Sequence, residues 1–319
     1  MKIGSIVLPA GAGLAPMAGV SDMPFRLICF GEGAAWTVSE MLSAKGYLYM
    51  PKDSRPVTEL LARSGAEGVT GLQLFGHEPE LMAEAANQLE GRGFDFIDVN
   101  MGCPAKKIVS NGDGSALMKK PELAGQVLSA IVKRVHVPVT VKMRAGWDEW
   151  HLNDAQLCKI AEDAGVAAIT LHGRTREQFY TGRVNLDAIA QAVRAVNIPV
   201  IGNGDVASGA DARQMLSQTG CAGVAVGRGA QGNPWLFGEI KAALEGTEWT
   251  PPSFSQRVQM AIRHLSMEVA MRGEAGAVLE MRRHIAWYLS GEAGCAKLRA
   301  RINALSQAEQ VFSALRELQ

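Results

Sequence analysis

The stretch AEDAGVAAITLHG (Ala161–Gly173) joins two different periodicities at one glycine. Upstream, NDAQLCKIAEDAG (153–165) spaces its apolar residues as one face of a helix, and Gly165 is a helix stop. The run VAAITL that follows is of strand length and apolar on both faces. Strands of that kind belong to parallel sheets covered by helices on both sides. A helix that ends on glycine and turns into such a strand is half of a βαβ unit.

The unit recurs along the chain. Strands read at 14–17, 35–40, 69–75, 94–100, 138–144, 167–173, 198–204 and 222–228, with amphipathic segments such as EPELMAEAANQLEGRG (78–93) between them. Eight strands close a (β/α)₈ TIM barrel, whereas doubly wound sheets usually stop earlier, and no GxGxxG follows the first strand. The expected fold is α/β: a TIM barrel over residues 1–250. Beyond Pro251-Pro252 no strand-like run occurs, so residues 251–319 read as a small all-helical C-terminal domain. That segment holds nine Lys+Arg against six Asp+Glu, leaving the first 250 residues slightly acidic.

Composition narrows the function. The chain has 319 residues, 47% of them hydrophobic, so a large core is available. With 32 basic and 32 acidic residues the net charge is zero, and a polyanionic partner needs a local basic patch. The five cysteines are scattered and form no CxxC pair or Cys/His cluster at zinc spacing, so reduced thiols and no metal are expected. The absence of a long apolar run predicts a cytoplasmic protein without a membrane partner. No protein partner is inferred.

Function in a barrel sits at the C-terminal ends of the strands. The polar residues that break the apolar strands lie there: Gln73, Asn100, Lys142, His172, then Asn203-Gly204-Asp205 and Gly227-Arg228. Each has a plain structural explanation alone, as a capped strand end, a satisfied core histidine or a snorkelling lysine. Recurrence at successive strand ends favours a shared site. Lys142 alternates with Val141 and Met143 on the face of Thr140 and Arg144, which predicts an inward ammonium needing an anion. Glycines after strands seven and eight let backbone N–H groups approach a phosphate, and Arg228 would add a charged contact.

Cys103 stands in VNMGCPAKK (99–107), past the end of strand four, between Gly102 and Pro104. Gly102 is expected to permit an unusual backbone and Pro104 to stiffen the turn. A free thiol is mostly protonated at neutral pH and can serve as a proton donor. Cys29, Cys158 and Cys221 read as small apolar fillers.

Taken together, APMAGVSDMPFR (15–26), VNMGCPAKK, GSALM (114–118), VKMRAGW (141–147), LHGRTR (171–176), NGD (203–205), GRGAQGNPW (227–235) and RRHIAWYLSG (282–291) resemble the bacterial tRNA-dihydrouridine synthases, most closely the DusB branch. Only NGDGSAL (111–117) departs, from a glycine-richer version in relatives. The resemblance implies an FMN enzyme that uses NADPH or NADH to reduce the C5–C6 bond of tRNA uridines. It implies Cys103 as the general acid for C5 and Pro16-Met17-Ala18 against the flavin ring. Gln73 and Lys142 would lie at the flavin's polar edge, and His172, Asn203, Gly204, Asp205, Gly227 and Arg228 at its ribityl phosphate. Asn100 would contact the target base. For the tRNA it points to Lys106, Lys107, Arg174, Arg176, Arg282, Arg283 and Arg299, with Lys297 and Arg301 nearby. Two rivals stay open: an FMN barrel acting on a free pyrimidine, and a non-enzymatic RNA-binding protein on a disused barrel.

Overall fold

The computed structural model describes residues 1–292 and 295–318. Among them, parallel strands follow one another in chain order: β1 (Ala12–Leu14), β2 (Trp36–Val38), β3 (Thr70–Phe75), β4 (Phe96–Met101), β5 (Val139–Gly146), β6 (Ala168–Thr175), β7 (Val200–Asn203) and β8 (Gly223–Val226). Each pairs with the next, and β8 pairs with β1 through Val226 opposite Leu14. Closure leaves no free sheet edge, and the fold is the expected TIM barrel with helices outside.

Most strand boundaries shift by a residue or more from the sequence reading, and three of the shifts bear most on the site. The first strand ends at Leu14 instead of running through 17. Ala15 still donates to the Val226 carbonyl at 2.8 Å, but Pro16 has no N–H to continue the ladder. Pro16-Met17-Ala18 are therefore loop. β5 and β6 run on to Gly146 and Thr175, paired across a register shift between Arg144 and Gly146. Lys142 and His172 consequently project from within their strands, not from the ends.

The bottom of the barrel is closed by a hairpin that hydrophobic periodicity does not reveal. Lys2–Ile3 pairs antiparallel with Ile6–Val7, and Ile3 and Leu8 join a buried cluster with Trp36, Phe96 and Ile201. Trp36 lies so close to β1 that a Cβ at Gly13 would fall 2.0 Å from its ring. The mouth at the other end is thereby the open one.

Past Pro251-Pro252 come the helices Phe254–Arg272, Glu274–Tyr288, Cys295–Ala304 and Ala308–Arg316, the first opened by a Ser253/Gln256 capping box. They share an apolar cluster that includes Val258, Leu265, Met281, Ile285 and Leu315, and also Ile28 from the barrel's Met23–Gly31 helix. Phe25 of that helix stacks on His264 with centroids 5.7 Å apart. No helix among the described residues is long and apolar enough to cross a membrane.

Candidate active site

A cavity of about 680 Å³ opens at the C-terminal mouth of the barrel. The structure brings into its wall Pro16, Met17 and Ala18 from the first loop, Gln73 from β3 and Asn100 from β4. Cys103 follows on the next loop, Lys142 and His172 stand on β5 and β6, and Asn203, Gly204, Asp205, Gly227 and Arg228 close the ring after β7 and β8.

The turn carrying Cys103 is built by Asn100. Its Oδ1 accepts from the backbone N–H of Gly102 at 3.1 Å and of Cys103 at 2.9 Å. Its Nδ2 donates to Gln73 Oε1 at 2.9 Å and lies 3.7 Å from Met41 Sδ. Gln73 in turn donates to Asp98 Oδ2 at 2.7 Å, and Thr140 donates to Asp98 Oδ1 at 2.5 Å. A continuous hydrogen-bonded chain therefore runs from β5 to the cysteine turn. Asn100 and Gln73, expected at the base and the flavin edge, have their amides engaged with protein at both ends. Gly102 also differs: it is needed for close approach, since a Cβ there would sit 3.2 Å from the Met143 carbonyl carbon. Ser115 N donates to the Cys103 carbonyl at 3.1 Å, so the divergent NGDGSAL stretch braces the same turn.

This network makes an expectation for Asn100→Ala. One buried and one half-buried N–H group would lose their acceptor, at roughly 1–3 kcal/mol of stability. Urea unfolding should show that loss.

Positive charge dominates the cavity. Burial, with Arg144 adding repulsion, lowers the Lys142 ammonium to about 8, although Asp98 and Cys103 pull the other way. No hydrogen bond or ion pair of its ammonium forms among the described residues. Burial likewise lowers Arg144 to about 10. His172 is held far below its usual range, first by burial and then by Lys142, Arg144, Arg174 and Arg228, so it is a neutral imidazole. Burial raises the Cys103 thiol against the opposing pull of the Ala105 N–H, Arg144 and Lys142. It remains a thiol near neutral pH.

Asp205 sits at φ 54° beside Gly204 at φ +122°, where a Cβ would fall 2.9 Å from the His172 ring. Its carboxylate accepts from Arg174 at 2.6 Å and Val184 N at 3.0 Å, and lies 3.6 Å from Arg228. It therefore orients guanidiniums and leaves the backbone of Gly204 to the cavity. At Gly227 the nearest atom to a built Cβ is Met17 Sδ, 3.7 Å away, so that loop presents bare backbone. An unpaired buried ammonium and bare glycine backbone lining one cavity suit an anionic, phosphate-bearing ligand.

The expected tRNA contacts scatter. Lys106 and Lys107 are exposed on the Lys106–Val109 helix, just past Cys103. Arg174 is the correction: it is 2% exposed, and its guanidinium holds the Thr181 and Gly182 carbonyls as well as Asp205. It clamps the loop over the mouth and offers no outer surface. Arg176 lies 4.7 Å over the Trp147 ring. Arg282 donates to the Leu305 carbonyl at 3.0 Å, and Arg283 binds Glu280 and reaches across to the Gly19 carbonyl. Lys297 is exposed and Arg299 half-buried on the Cys295–Ala304 helix, while Arg301 is paired with Glu317 at 2.5 Å.

Met41, Phe179, Tyr180 and Gln231 also line the cavity, and Arg144 donates to the Gly102, Thr175 and Phe179 carbonyls. In the sequence Arg144 stands out only as a strand neighbour of Lys142. Phe179 holds φ 52°, a strained backbone for an aromatic residue, and the Arg228 guanidinium lies 4.5 Å over Tyr180. Two successive aromatics in the polar loop after β6 are the signal that could have found them.

A family model for dihydrouridine synthases matches residues 13–319. The chain is 42% identical over 314 residues to tRNA-dihydrouridine synthase B of Shewanella oneidensis, covering 98% of this chain and 96% of that one. It is 39% identical over 318 residues to the tRNA-dihydrouridine synthase B of Pseudomonas aeruginosa, covering 99% and 95%. In fold alone it is similar to histamine dehydrogenase from Rhizobium sp. 4-9, with TM-score 0.59 and 14% identity over 84% of this chain and 50% of that one. A morphinone reductase mutant in complex with tetrahydroNAD gives TM-score 0.53 and 16% identity, covering 80% and 92%. With a family model spanning nearly the whole barrel and helical region, and relatives of matching length, the chain belongs to the dihydrouridine synthase family.

Proposed function

We propose that the protein reduces the C5–C6 double bond of uridines in tRNA to 5,6-dihydrouridine, with FMN bound in the barrel mouth and NADPH or NADH as reductant. The observation that carries this reading is the Cys103 thiol, held on a braced turn over a cavity whose floor is the cationic pair Lys142 and Arg144. Bound reduced flavin supplies the hydride for uracil C6. The Cys103 thiol gives its proton to C5, and solvent restores it. Lys142 would lie at the flavin's polar edge and stabilise the negative charge of the reduced ring, and the backbone at Gly204 and Gly227 would receive the phosphate. His172, being neutral, orients without adding charge.

A uracil enters the mouth only after leaving its stack, so the tRNA is held by shape and phosphate contacts while one base is presented. Lys106, Lys107, Lys297 and Arg299 are the cations for those contacts. The decisive test is the visible spectrum of the purified protein without oxygen. NADPH should bleach the flavin band and unmodified tRNA should restore it. Recovery with free pyrimidines instead of tRNA would favour the rival small-molecule enzyme.

Deleting the helical region is a poor way to test tRNA binding. Phe25, Asp22 and Gly19 of the barrel all contact it, so its loss would open the barrel itself. Charge reversal is cleaner. Lys297→Glu with Arg299→Glu should raise KM for tRNA and lower the dependence of binding on log salt by about one for each phosphate no longer neutralised. Flavin reduction by NADPH should not change. An unaltered salt slope would remove these two side chains from the tRNA surface.

A further inference from the structure

We infer that Asp22, His264 and Glu268 form a site for one divalent transition-metal cation, zinc being the first to test, at the seam between barrel and helical region. His264 and Glu268 stand one turn apart on the Phe254–Arg272 helix and share a face. That face meets Asp22, the N-cap of the Met23–Gly31 helix. One donor atom from each of the three lies within 4.8 Å of the others. Asp22 is 5% exposed and the other two are fully buried.

Two atoms point to a ligand. His264 Nε2 and Glu268 Oε1 have no hydrogen-bond partner among the described residues. They lie 3.6 Å apart, too far for a strong hydrogen bond. That spacing is close to the roughly 3.3–3.5 Å between two ligands that each sit about 2.0 Å from one tetrahedral cation. Leaving both orphaned would be costly in a dry interior.

The outer atoms of the three residues are already held in the way metal ligands usually are. Arg272 Nε donates to Glu268 Oε2 at 2.5 Å and Arg272 Nη2 to Asp22 Oδ2 at 2.5 Å, while Asp22 Oδ1 accepts from the Phe25 backbone N–H at 3.1 Å. Tyr288 Oη lies 3.3 Å from His264 Nδ1. An N–H at Nδ1 donating to Tyr288 leaves the Nε2 lone pair facing Glu268.

Carboxylates crowd the seam: Asp22 and Glu268 meet at Arg272, and Glu40 and Glu59 lie close by. One imidazole nitrogen with two carboxylate oxygens suits zinc or manganese, with a further position left for water. The cation would fasten the helical region to the barrel.

Elemental analysis of tag-free, flavin-loaded protein purified without chelator should find one first-row divalent metal per chain. A strong chelator should lower the melting temperature, and zinc or manganese should restore it. Glu268→Gln should reduce metal content about tenfold or more, as loss of a ligand or its support does, with the flavin band retained. A wild-type protein without stoichiometric metal, whose melting temperature neither chelator nor added metal moves, would overturn the site. Metal retained in full by a folded Glu268→Gln would overturn it as well. If that variant does not fold, removal and return of metal in the wild type decide the matter.

Discussion

Cys103→Ala should keep its flavin, accept electrons from NADPH at the wild-type rate, and reduce tRNA uridine about 10²–10⁴-fold more slowly, the usual loss for a positioned general acid. The separation follows from where the residue sits. Its backbone is fixed by Asn100 and Ser115, so truncating the side chain leaves the turn in place. Lys142 and the glycine backbone, which face the ligand, are untouched. What disappears is the thiol proton, which burial keeps on sulfur at neutral pH. Serine should not rescue the rate, because a hydroxyl is a far weaker acid. The measurement is flavin reoxidation after mixing reduced, oxygen-free enzyme with unmodified tRNA. A wild-type reoxidation rate in the alanine variant would remove Cys103 from the reaction.

Lys142→Met should weaken binding of reduced flavin on the order of 10²-fold, about 3 kcal/mol, the lower end of the loss when one partner of a buried ion pair is removed. Methionine keeps the aliphatic volume and deletes the charge. The pH dependence gives a sharper sign. Burial lowers the Lys142 pKa to about 8 in the ligand-free protein, so the ammonium is present below that pH and lost above it. The flavin ring is neutral when oxidised and anionic when reduced, so reduction favours the charged ammonium, raises its pKa again and takes up an extra proton above pH 8. The reduction potential of wild-type bound flavin should therefore fall more steeply as pH rises past about 8, and Lys142→Met should lack that extra slope. Spectroscopic redox titrations across this range test it. The same slope in both proteins would mean that another group carries the charge.

Much of this is legible in one dimension. The helix–glycine–strand unit at Ala161–Gly173 and its repeats imply a closed parallel barrel, because a sheet apolar on both faces has to be covered on both sides. The cavity residues from Pro16 to Arg228 can be gathered because the barrel maps strand ends onto one mouth. The position of Cys103 beyond its strand also shows in the sequence, since glycine and proline flank it.

Other features depend on where a side chain's own hydrogen-bonding capacity goes, and spacing carries no record of that. Asn100 reads as a polar residue at a strand end, yet its amide closes the Cys103 turn. Arg174 reads as a surface cation, yet Asp205 and two loop carbonyls bury it. Phe179 and Tyr180 enter the site because β6 extends beyond its expected end and its loop lies over the mouth, where Arg144 holds the Thr175 and Phe179 carbonyls. The N-terminal hairpin and the seam at Asp22, His264 and Glu268 are contacts between segments distant in sequence. Hydrophobic periodicity is a local signal, strong enough to determine strands, helices and their closure into a barrel. Only the folded chain decides which buried polar groups satisfy one another and which are left to bind something else, because that depends on distances across the fold.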